Sequence, residues 1–415
     1  MDINENQTSN SGTISRFLGR KKRLIWIIVG IVAFVVVAVI VIPTSIVLTK
    51  KKTTTAEVIS TTTLTSTTIS TEDSTTISAE VSTVDVSFKN WSQTNNMNYP
   101  RTAHVASVLK DGKVLITGGL FGSTVLDSAE LYDPSTATWA STNPMNNKRY
   151  RHSVSKLLNG KVLVAGGEDN NGCLSSSEFY YPEENIWTKT GNMNSQRCQH
   201  TASVLSNGMV LVTGGPDESA ELYNSSTETW TLTSNMKYAR KSHQASKLKN
   251  ENILVTGGFD YDDELNVVEL YDPSTKSWTT TGTMHYARSW HTASVLKNGN
   301  VLVAGGATHN LRSAELYDSE TGNWTITGSL NFGRKIHAAS VLINGNVLVC
   351  GGTNLYTNLY FTSSEIYDPS TEIWSTSSDM SCKRYRHQSS VLSNGTVLVT
   401  GNGEQTSFRC TADLY

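Results

Sequence analysis

The chain has 415 residues, of which 17% are charged, and its formal net charge at pH 7 is −2. This balance excludes the clustered excess of Lys and Arg that nucleic-acid-binding proteins carry, so we expect no nucleic-acid partner. The length allows two or three ordinary domains or one large repeat architecture.

The first predicted element is a transmembrane helix over residues 24–48, a run without a charged residue and rich in Ile and Val. As a helix it spans about 37 Å, enough to cross a hydrocarbon core of about 30 Å. Its length and its lack of a small-residue cleavage site favour a signal-anchor over a cleaved signal peptide. Five Lys and Arg precede the helix at 16–23 and three follow at 50–52. This bias predicts a cytoplasmic segment 1–23 and a single pass through the plasma membrane or another secretory-pathway membrane, with the remainder outside.

Residues 49–87 form a predicted stalk. Between residues 53 and 87, 20 of 35 residues are Ser or Thr, and none is aromatic or Gly. Such a segment buries too little apolar surface to fold. It is typical of an O-glycosylated stalk, with an unmodified flexible linker as the alternative.

From residue 88 to residue 415 the chain repeats one unit seven times. The typical unit reads Arg-x-x-His, an apolar strand, an Asn-Gly or Asp-Gly turn, a Val-Leu-Val strand ending in Gly-Gly, a variable loop, Glu-Leu-Tyr and then Trp. Asn-Gly predicts a tight hairpin, and the all-apolar second strand predicts burial of both sheet faces. The unit histidines lie on average about 47 residues apart, a spacing typical of propeller blades. They are His104, His152, His200, His243, His291, His337 and His387.

The spacings predict how the ring closes. Only the interval from Gly-Gly to Tyr varies, from 9 to 16 residues, which indicates a rigid four-stranded blade with one free loop. The last unit stops at Tyr415 after its third strand, whereas the segment around Trp91 is a fourth strand without the first three. Pairing them completes a seventh blade and removes an exposed edge, while a six-bladed ring leaves one unit unpaired.

These motifs resemble the Kelch repeat family, and specifically bacterial-style Kelch proteins and the central propeller of galactose oxidase. The resemblance rests on the Gly-Gly, Glu-x-Tyr and Trp pattern across residues 88–415. It implies an all-β fold, a seven-bladed β-propeller. The last unit departs from the pattern, with Gly401-Asn402 in place of the doublet and Asp413 in place of Glu.

Two charged sets recur at fixed positions in the units. An anion-binding ring of arginines is one interpretation; an Arg–acid pair that locks the repeats is favoured, because one site does not need seven copies. The arginines are Arg101, Arg149, Arg197, Arg240, Arg288, Arg334 and Arg384, and the acids are Glu130, Glu178, Glu221, Glu269, Glu315, Glu365 and Asp413. The unit histidines are too dispersed around a ring to converge on zinc at about 2 Å, so we predict no metal site.

The galactose oxidase resemblance implies an alternative function, a copper oxidase or its inactive relic. That family uses Tyr and His ligands, a Tyr cross-linked to Cys, and a ligand from a further domain beyond the propeller. We expect no such domain after Tyr415, and no carboxylate pair, Ser-His-Asp order or phosphate-binding loop stands out. The sequence therefore predicts a non-catalytic protein without a cofactor.

Ligand binding is predicted at the variable loops. In a propeller, the loop between the second and third strands lies on the same face as the link entering the first, and loops on a rigid scaffold concentrate binding residues. Exposed aromatic and Arg residues are typical interface anchors for the protein or glycan ligand that we expect. The candidates are Arg151, Trp290, Arg312, Tyr356, Tyr360, Phe361 and Arg386. Acidic residues at 260–264 match no known calcium loop and are interpreted as solvated surface.

Cysteines and sequons agree with an extracellular propeller. The chain has five cysteines, and their positions in loops and links predict the bridges Cys173–Cys198 and Cys382–Cys410. Cys350, within a second strand, is predicted to be a buried free thiol. The sequons predicted to carry N-glycans are Asn90, Asn224, Asn323 and Asn394.

Overall fold

A computed structural model describes residues 90–307, 312–354, 357, 359–401 and 411–415. The predicted segments 1–23, 24–48 and 49–87 lie outside these residues. Within the described part the protein is all β, with seven four-stranded antiparallel sheets and two short hairpins. No described residue belongs to a helix with the length and apolar character needed to cross a bilayer.

Each four-stranded sheet is one blade, whose strands are called A to D from the centre outward. The A strands of neighbouring blades contact each other around a closed circle of seven, so they line the axis. Blade 1 consists of Val105–Val108, Val114–Thr117, Ala129–Asp133 and Thr138–Ser141. Blade 2 consists of Ser153–Lys156, Val162–Ala165, Ser177–Tyr181 and Ile186–Thr190. Blade 3 consists of Thr201–Val204, Val210–Thr213, Ala220–Asn224 and Thr229–Leu232.

The remaining blades repeat this order. Blade 4 consists of Gln244–Lys247, Ile253–Thr256, Val268–Asp272 and Ser277–Thr280. Blade 5 consists of Thr292–Val295, Val301–Ala304, Ala314–Tyr317 and Trp324–Ile326. Blade 6 consists of Ala338–Val341, Val347–Cys350, Ser364–Asp368 and Ile373–Thr376. Blade 7 consists of Gln388–Val391, Val397–Thr400, Ala412–Leu414 and Ser92–Gln93. The short hairpins pair Leu120–Phe121 with Thr124–Val125, and Glu168–Asp169 with Gly172–Cys173.

The hydrophobic core lies between the blades. All four residues of every B strand are buried, which explains why the first three residues of each are apolar. Between blades 4 and 5, for example, Leu254 and Val268 pack against Val301, Val303 and Tyr317. Because each blade buries one face against the next, an isolated blade lacks a core, and the ring folds as a unit.

Blade 7 joins the two ends of the propeller. Ser92 and Gln93 pair antiparallel with Leu414 and Asp413 and supply the outermost strand of that blade. The Trp91 indole packs on the Tyr415 ring with centroids 5.0 Å apart. This is the closure that the sequence spacing predicts, and it leaves blade 7 with a full set of four strands.

The first glycine of each doublet lies where two blades approach. At Gly118 the backbone has φ +56°, and a Cβ there would overlap the Arg149 carbonyl oxygen of the next blade. The His152 Cε1 atom would lie only 3.0 Å from the same Cβ. Glycine is therefore required by contact as well as by conformation.

Candidate functional site

The B–C loops and the links that enter the A strands lie on one face, here called the loop face. Backbone bridges join the two kinds of segment within a blade: Thr102 with Leu120, Tyr150 with Glu168, Lys241 with Phe259, Ser289 with Ala307, and Lys335 with Thr353. These bridges place all the length variation of the chain's blades on the same side of a fixed scaffold. The loop face is therefore where the propeller can differ most without loss of the fold.

At the centre of the loop face, a closed ring of seven backbone hydrogen bonds surrounds the axis. The residue just before each unit histidine donates its N–H to the carbonyl of its counterpart in a neighbouring blade, with N···O distances of 2.8–3.2 Å. The seven residues, called the mouth ring, are in blade order Ala103, Arg151, Gln199, Ser242, Trp290, Ile336 and Arg386. The last bond, from the Ala103 N–H to the Arg386 carbonyl, closes the circle.

All seven mouth-ring residues adopt left-handed backbone conformations, with φ between 51° and 55°. None is glycine, and at β-branched Ile336 such a value is a genuine outlier. Conformations of this kind persist only where the surroundings enforce them, and they cluster at functional sites. Here the inter-blade hydrogen bonds enforce the conformation, and it brings seven side chains of different chemistry to the mouth of the central channel.

One side of the mouth is cationic. Arg386 and Arg151 are neighbours across Ala103, the smallest mouth-ring residue. The Arg151 guanidinium donates to the Glu168 carboxylate at 3.1 Å. Among the described residues, no carboxylate lies within ion-pair distance of Arg386. Burial, and to a smaller extent the charge of Arg151, lower the pKa of Arg386.

Aromatic side chains surround the cations. Tyr385 and Tyr360 are stacked with centroids 4.5 Å apart, and the Arg386 guanidinium carbon lies 5.9 Å from the Tyr385 centroid. Beside Ile336, the mouth-ring neighbour of Arg386, the Lys335 ammonium lies 5.1 Å from the centroid of the Trp290 ring. Burial lowers the pKa of Lys335, and the charge of Arg386 adds to that shift. The mouth thus combines partly buried cations with flat aromatic surfaces.

The mouth has two further sectors. The Ser242 hydroxyl donates to the Gln199 side-chain oxygen at 2.8 Å. The blade 3 and blade 4 side is therefore polar, and these two side chains form a hydrogen bond with each other. Trp290 and Ile336 follow as neighbours on the blade 5 and blade 6 side, where the Lys335 ammonium lies over the Trp290 ring. That side therefore combines large apolar side chains with a third cation.

The seven recurrent arginines are not available to a ligand. Each is at most 1% exposed, and each donates to the acid of its own unit at 2.6–3.0 Å. Arg101, for example, donates Nη2 to Glu130 and Nη1 to the Gly118 carbonyl. The Glu130 carboxylate also accepts the backbone N–H groups of Asn98 and Tyr99. Each pair therefore holds an incoming link on its blade, the structural role that the sequence favours.

The unit histidines are also committed to the scaffold. In six of the seven, Nε2 shares a hydrogen bond with a Ser or Thr hydroxyl of an adjacent blade, as between His200 and Ser153 at 2.9 Å. His387 instead faces the Cys350 sulfur at 3.6 Å. Burial holds the pKa of each of the seven below its usual value, and for His200 and His387 lowers it to about 3. These imidazoles are neutral structural groups.

The acidic loop of blade 4 and the His, Cys, Asp and Glu side chains were the candidates for a metal site. Across the described ranges, no three His, Cys, Asp or Glu side chains are grouped as metal ligands. In the acidic loop, the Asp260 carboxylate accepts the backbone N–H groups of Asp262 and Asp263. That carboxylate is therefore occupied by its own turn.

Three other nominated binding residues, Arg312, Phe361 and Tyr356, are not members of the mouth ring. Arg312 is exposed, and its Nε donates to the Leu330 carbonyl at 2.7 Å. Phe361 packs over the buried Arg334, whose guanidinium carbon lies 5.2 Å from the ring centroid. Tyr356 lies outside the described residues. The structure thus unites Arg151, Trp290 and Arg386 in one ring.

Sequence reasoning missed four mouth-ring residues and three of their neighbours. The missed ring residues are Ala103, Gln199, Ser242 and Ile336, and the missed neighbours are Tyr150, Glu168 and Tyr385. The signal was present: the position before each unit histidine has a fixed place in the unit, but six different residue types occupy it in the seven units. Invariant spacing with variable chemistry marks a place where a rigid scaffold presents different side chains.

The structure describes four of the five cysteines. Cys173 and Cys198 form a disulfide between the blade 2 loop and the link entering blade 3. Cys382 is also disulfide-bonded, and Cys410, its expected partner, lies outside the described residues. Cys350 is free and buried, and burial raises the pKa of its thiol to about 12.

The sequon asparagines lie at the surface. Asn90, Asn323 and Asn394 are exposed, and Asn224 is half-buried. The side-chain oxygen of Asn394 accepts the Thr396 N–H, which leaves the amide nitrogen facing out of the turn.

Comparisons with known proteins agree with this repeat architecture. Residues 215–402 match the KLHDC2/KLHL20/DRC7 Kelch-repeats domain, and residues 101–146 and 149–194 match the Kelch motif. No curated protein matches the chain significantly. A fungal alcohol oxidase of the AA5 family, in complex with copper, is similar in structure with a TM-score of 0.65 and 17% identity, over 78% of this chain and 75% of the oxidase. YjhT is similar with a TM-score of 0.54 and 14% identity, over 68% of this chain and 99% of YjhT. At these identities the likeness concerns the fold alone.

Proposed function

We propose that this chain, which folds as a seven-bladed propeller of Kelch repeats, is a non-catalytic binding protein displayed at the cell surface. It recognises a protein or a glycan through the loop face. Residues 24–48 anchor it in the membrane, residues 49–87 act as a stalk, and the propeller faces outward.

The mouth ring is the observation that supports a binding role. Seven side chains are held by backbone hydrogen bonds at one end of the channel, and they include Arg151, Trp290 and Arg386. Trp, Tyr and Arg are the residues that carry most of the binding energy in protein interfaces. Trp and Tyr present a large surface with little loss of conformational freedom, and Arg supplies a planar set of charged donors. Kelch propellers generally bind protein partners, which favours a protein among the possible ligands.

The recurrent polar residues support the absence of catalysis. The buried arginines, acids and histidines are paired with one another or with neighbouring hydroxyls, so none is free to act as nucleophile, base or metal ligand at the mouth. The competing function, a copper oxidase, requires ligands that converge on one ion. Copper content and peroxide release on simple sugars test it directly; stoichiometric copper with peroxide release would replace binding by catalysis.

The surface location is tested by expressing the full chain in cells that glycosylate. We expect N-glycans removable by glycosidase at the four sequons, two disulfides seen as a mass increase on reduction, and labelling of the propeller by a membrane-impermeant reagent. Sequons without glycans, together with five free thiols, would contradict the surface location and indicate a cytosolic propeller.

The binding role is tested by probing the same full-length protein against arrays of glycans and of cell-surface ectodomains. We expect a ligand whose binding is lost in Trp290→Ala and weakened in Tyr360→Ala. The matched control is Leu158→Ala, an exposed apolar residue in the A–B hairpin of blade 2, outside the loop face. A ligand lost equally in the control, or no ligand on either array, contradicts the proposal.

A further inference from the structure

We propose that Arg386 and Arg151 bind a carboxylate from an acidic segment of a partner protein that enters the mouth ring, with an apolar side chain of that segment against Trp290 and Ile336. This inference rests on the proposed binding function and specifies the chemistry of its ligand. It follows from the charges, the burial and the arcs of the mouth ring.

The first step concerns charge. Arg386 is partly buried beside a second guanidinium, and among the described residues it has no carboxylate partner. Glu168 neutralises Arg151 alone, and the Tyr150 hydroxyl adds a hydrogen bond to the same carboxylate. Removing a guanidinium from water without a partner is unfavourable, so the described part of the propeller leaves an anion-binding capacity unused at this point.

The second step concerns shape. Ala103 stands between the two arginines in the mouth ring and has no side chain beyond Cβ, so no bulky side chain of the ring separates the two guanidinium groups. A guanidinium matches a carboxylate through two parallel N–H groups, and it does so best where water is partly excluded. Tyr385 and Tyr360 flank Arg386 with stacked rings and limit its exposure to water.

The third step concerns the remainder of the ligand. The arc formed by Trp290 and Ile336 presents an indole ring and an aliphatic side chain, and it adjoins Arg386 directly, because the Arg386 N–H donates to the Ile336 carbonyl. The Lys335 ammonium lies 5.1 Å from the Trp290 centroid, so a third cation is close to the same arc. A segment that carries an acidic residue beside an aliphatic or aromatic residue satisfies both arcs at once. A polypeptide provides that combination at neighbouring positions.

The test uses the full chain in mild detergent and a phage-displayed library of random 12-residue peptides. We expect the selected peptides to contain Asp or Glu next to an aliphatic or aromatic residue. A synthetic peptide from the selection should bind about tenfold or more weakly after its acid is changed to the amide, since charge-assisted hydrogen bonds are lost. Higher salt should also weaken binding.

The protein variants assign the site. Arg386→Gln should weaken binding of the peptide about tenfold or more. In this variant, changing the peptide's acid to the amide should have almost no further effect on affinity, as expected when the two groups interact directly. The fold tolerates this substitution, because Gln199 occupies the equivalent mouth-ring position in blade 3 with φ 55°. Arg386→Lys keeps the charge without the planar fork and should be intermediate. Arg312→Gln, an exposed cation outside the mouth ring, is the control and should bind like the unaltered protein.

Selected peptides without acids, or equal losses in the Arg386 and Arg312 variants, would overturn the inference. So would an acidic glycan that binds through Arg386 when no peptide is selected. In these cases a ligand lost in Trp290→Ala still upholds the proposed function. Absence of any peptide, ectodomain or glycan ligand refutes both together.

Discussion

At the scale of single residues, buried Arg–acid pairs hold the links between blades. Each guanidinium and carboxylate is desolvated, and their attraction offsets the cost of that desolvation only while both members of the pair are present. Burial lowers the pKa of Arg240, whereas the Glu269 carboxylate opposes that shift. Removal of one partner therefore leaves a buried charge without compensation.

The variant Glu269→Gln tests the contribution of one such pair. We expect a loss of about 3–5 kcal/mol in the free energy of unfolding, because Arg240 remains buried and charged. Glu251→Gln in the same blade removes an exposed ion pair with Lys247 and should cost at most about 1 kcal/mol. Urea denaturation of both variants provides the comparison, and equal losses would show that burial does not govern these pairs.

The unit histidines should make the propeller sensitive to acid. The folded state favours neutral imidazole, so below pH of about 6.5 the unfolded chain binds more protons than the folded one. Stability is therefore full above that pH and falls as the pH is lowered towards about 3, the pKa of buried His200. From pH 6.5 to pH 5 one such histidine removes about 2 kcal/mol.

The variant His200→Gln isolates one of these contributions. Its amide nitrogen can still donate to the Ser153 hydroxyl, the partner of the imidazole, but it does not titrate. We expect the variant to lose less stability than the unaltered protein between pH 7 and pH 5, by about 2 kcal/mol. Urea midpoints at the two pH values measure this difference, and parallel pH curves would contradict a buried neutral His200.

At the scale of elements, close approach between blades fixes the glycine doublets. Gly118 and Gly122 have nearly the same φ, +56° and +58°, but only Gly118 faces backbone and side-chain atoms of the next blade. The two positions separate the effect of backbone conformation from that of contact.

The variants Gly118→Ala and Gly122→Ala exploit this match. Both carry the penalty of a left-handed alanine, about 1 kcal/mol. Gly118→Ala adds overlap with Arg149 and His152 and should lose a further 1–3 kcal/mol, about the range for overpacked sites. Thermal unfolding measures both; similar melting temperatures would show that the blades move apart easily.

At the scale of the whole molecule, stability depends on closure of the ring. Ser92–Gln93 covers the edge of Ala412–Leu414, and Trp91 donates its indole N–H to Ser364 of blade 6 at 3.0 Å. The Trp91–Ser364 hydrogen bond links the first segment of the propeller to blade 6. Without Ser92–Gln93, blade 7 presents an unpaired strand edge.

Replacing residues 88–97 with a Gly/Ser segment of equal length tests this closure. We expect a lower melting temperature, early loss of hydrogen-exchange protection in blade 7, and aggregation through the exposed edge. The same replacement at residues 64–73, in the predicted stalk, is the control and should leave the melting temperature unchanged. Uniform protection in both variants would mean that the ring closes without the strand.

The sequence by itself determined the fold class, the number of blades and the segment that completes blade 7. These are local or periodic properties: apolar B strands, turn dipeptides and constant spacings each dictate one blade, and seven copies dictate the ring. It also supported the structural role of the recurrent Arg and acid residues, because a sevenfold pattern reflects the scaffold.

Only the tertiary structure decided which non-repeated side chains meet. Arg386 and Arg151 are far apart in the sequence, and their adjacency across Ala103 arises because the ring brings the last blade beside the first. In the same way, the contacts of Arg312 with Leu330 and of Phe361 with Arg334 depend on packing between segments and could not be read from the sequence. Periodicity fixes what every blade shares, whereas a binding site depends on how the blades differ and on which differences the closed ring places together.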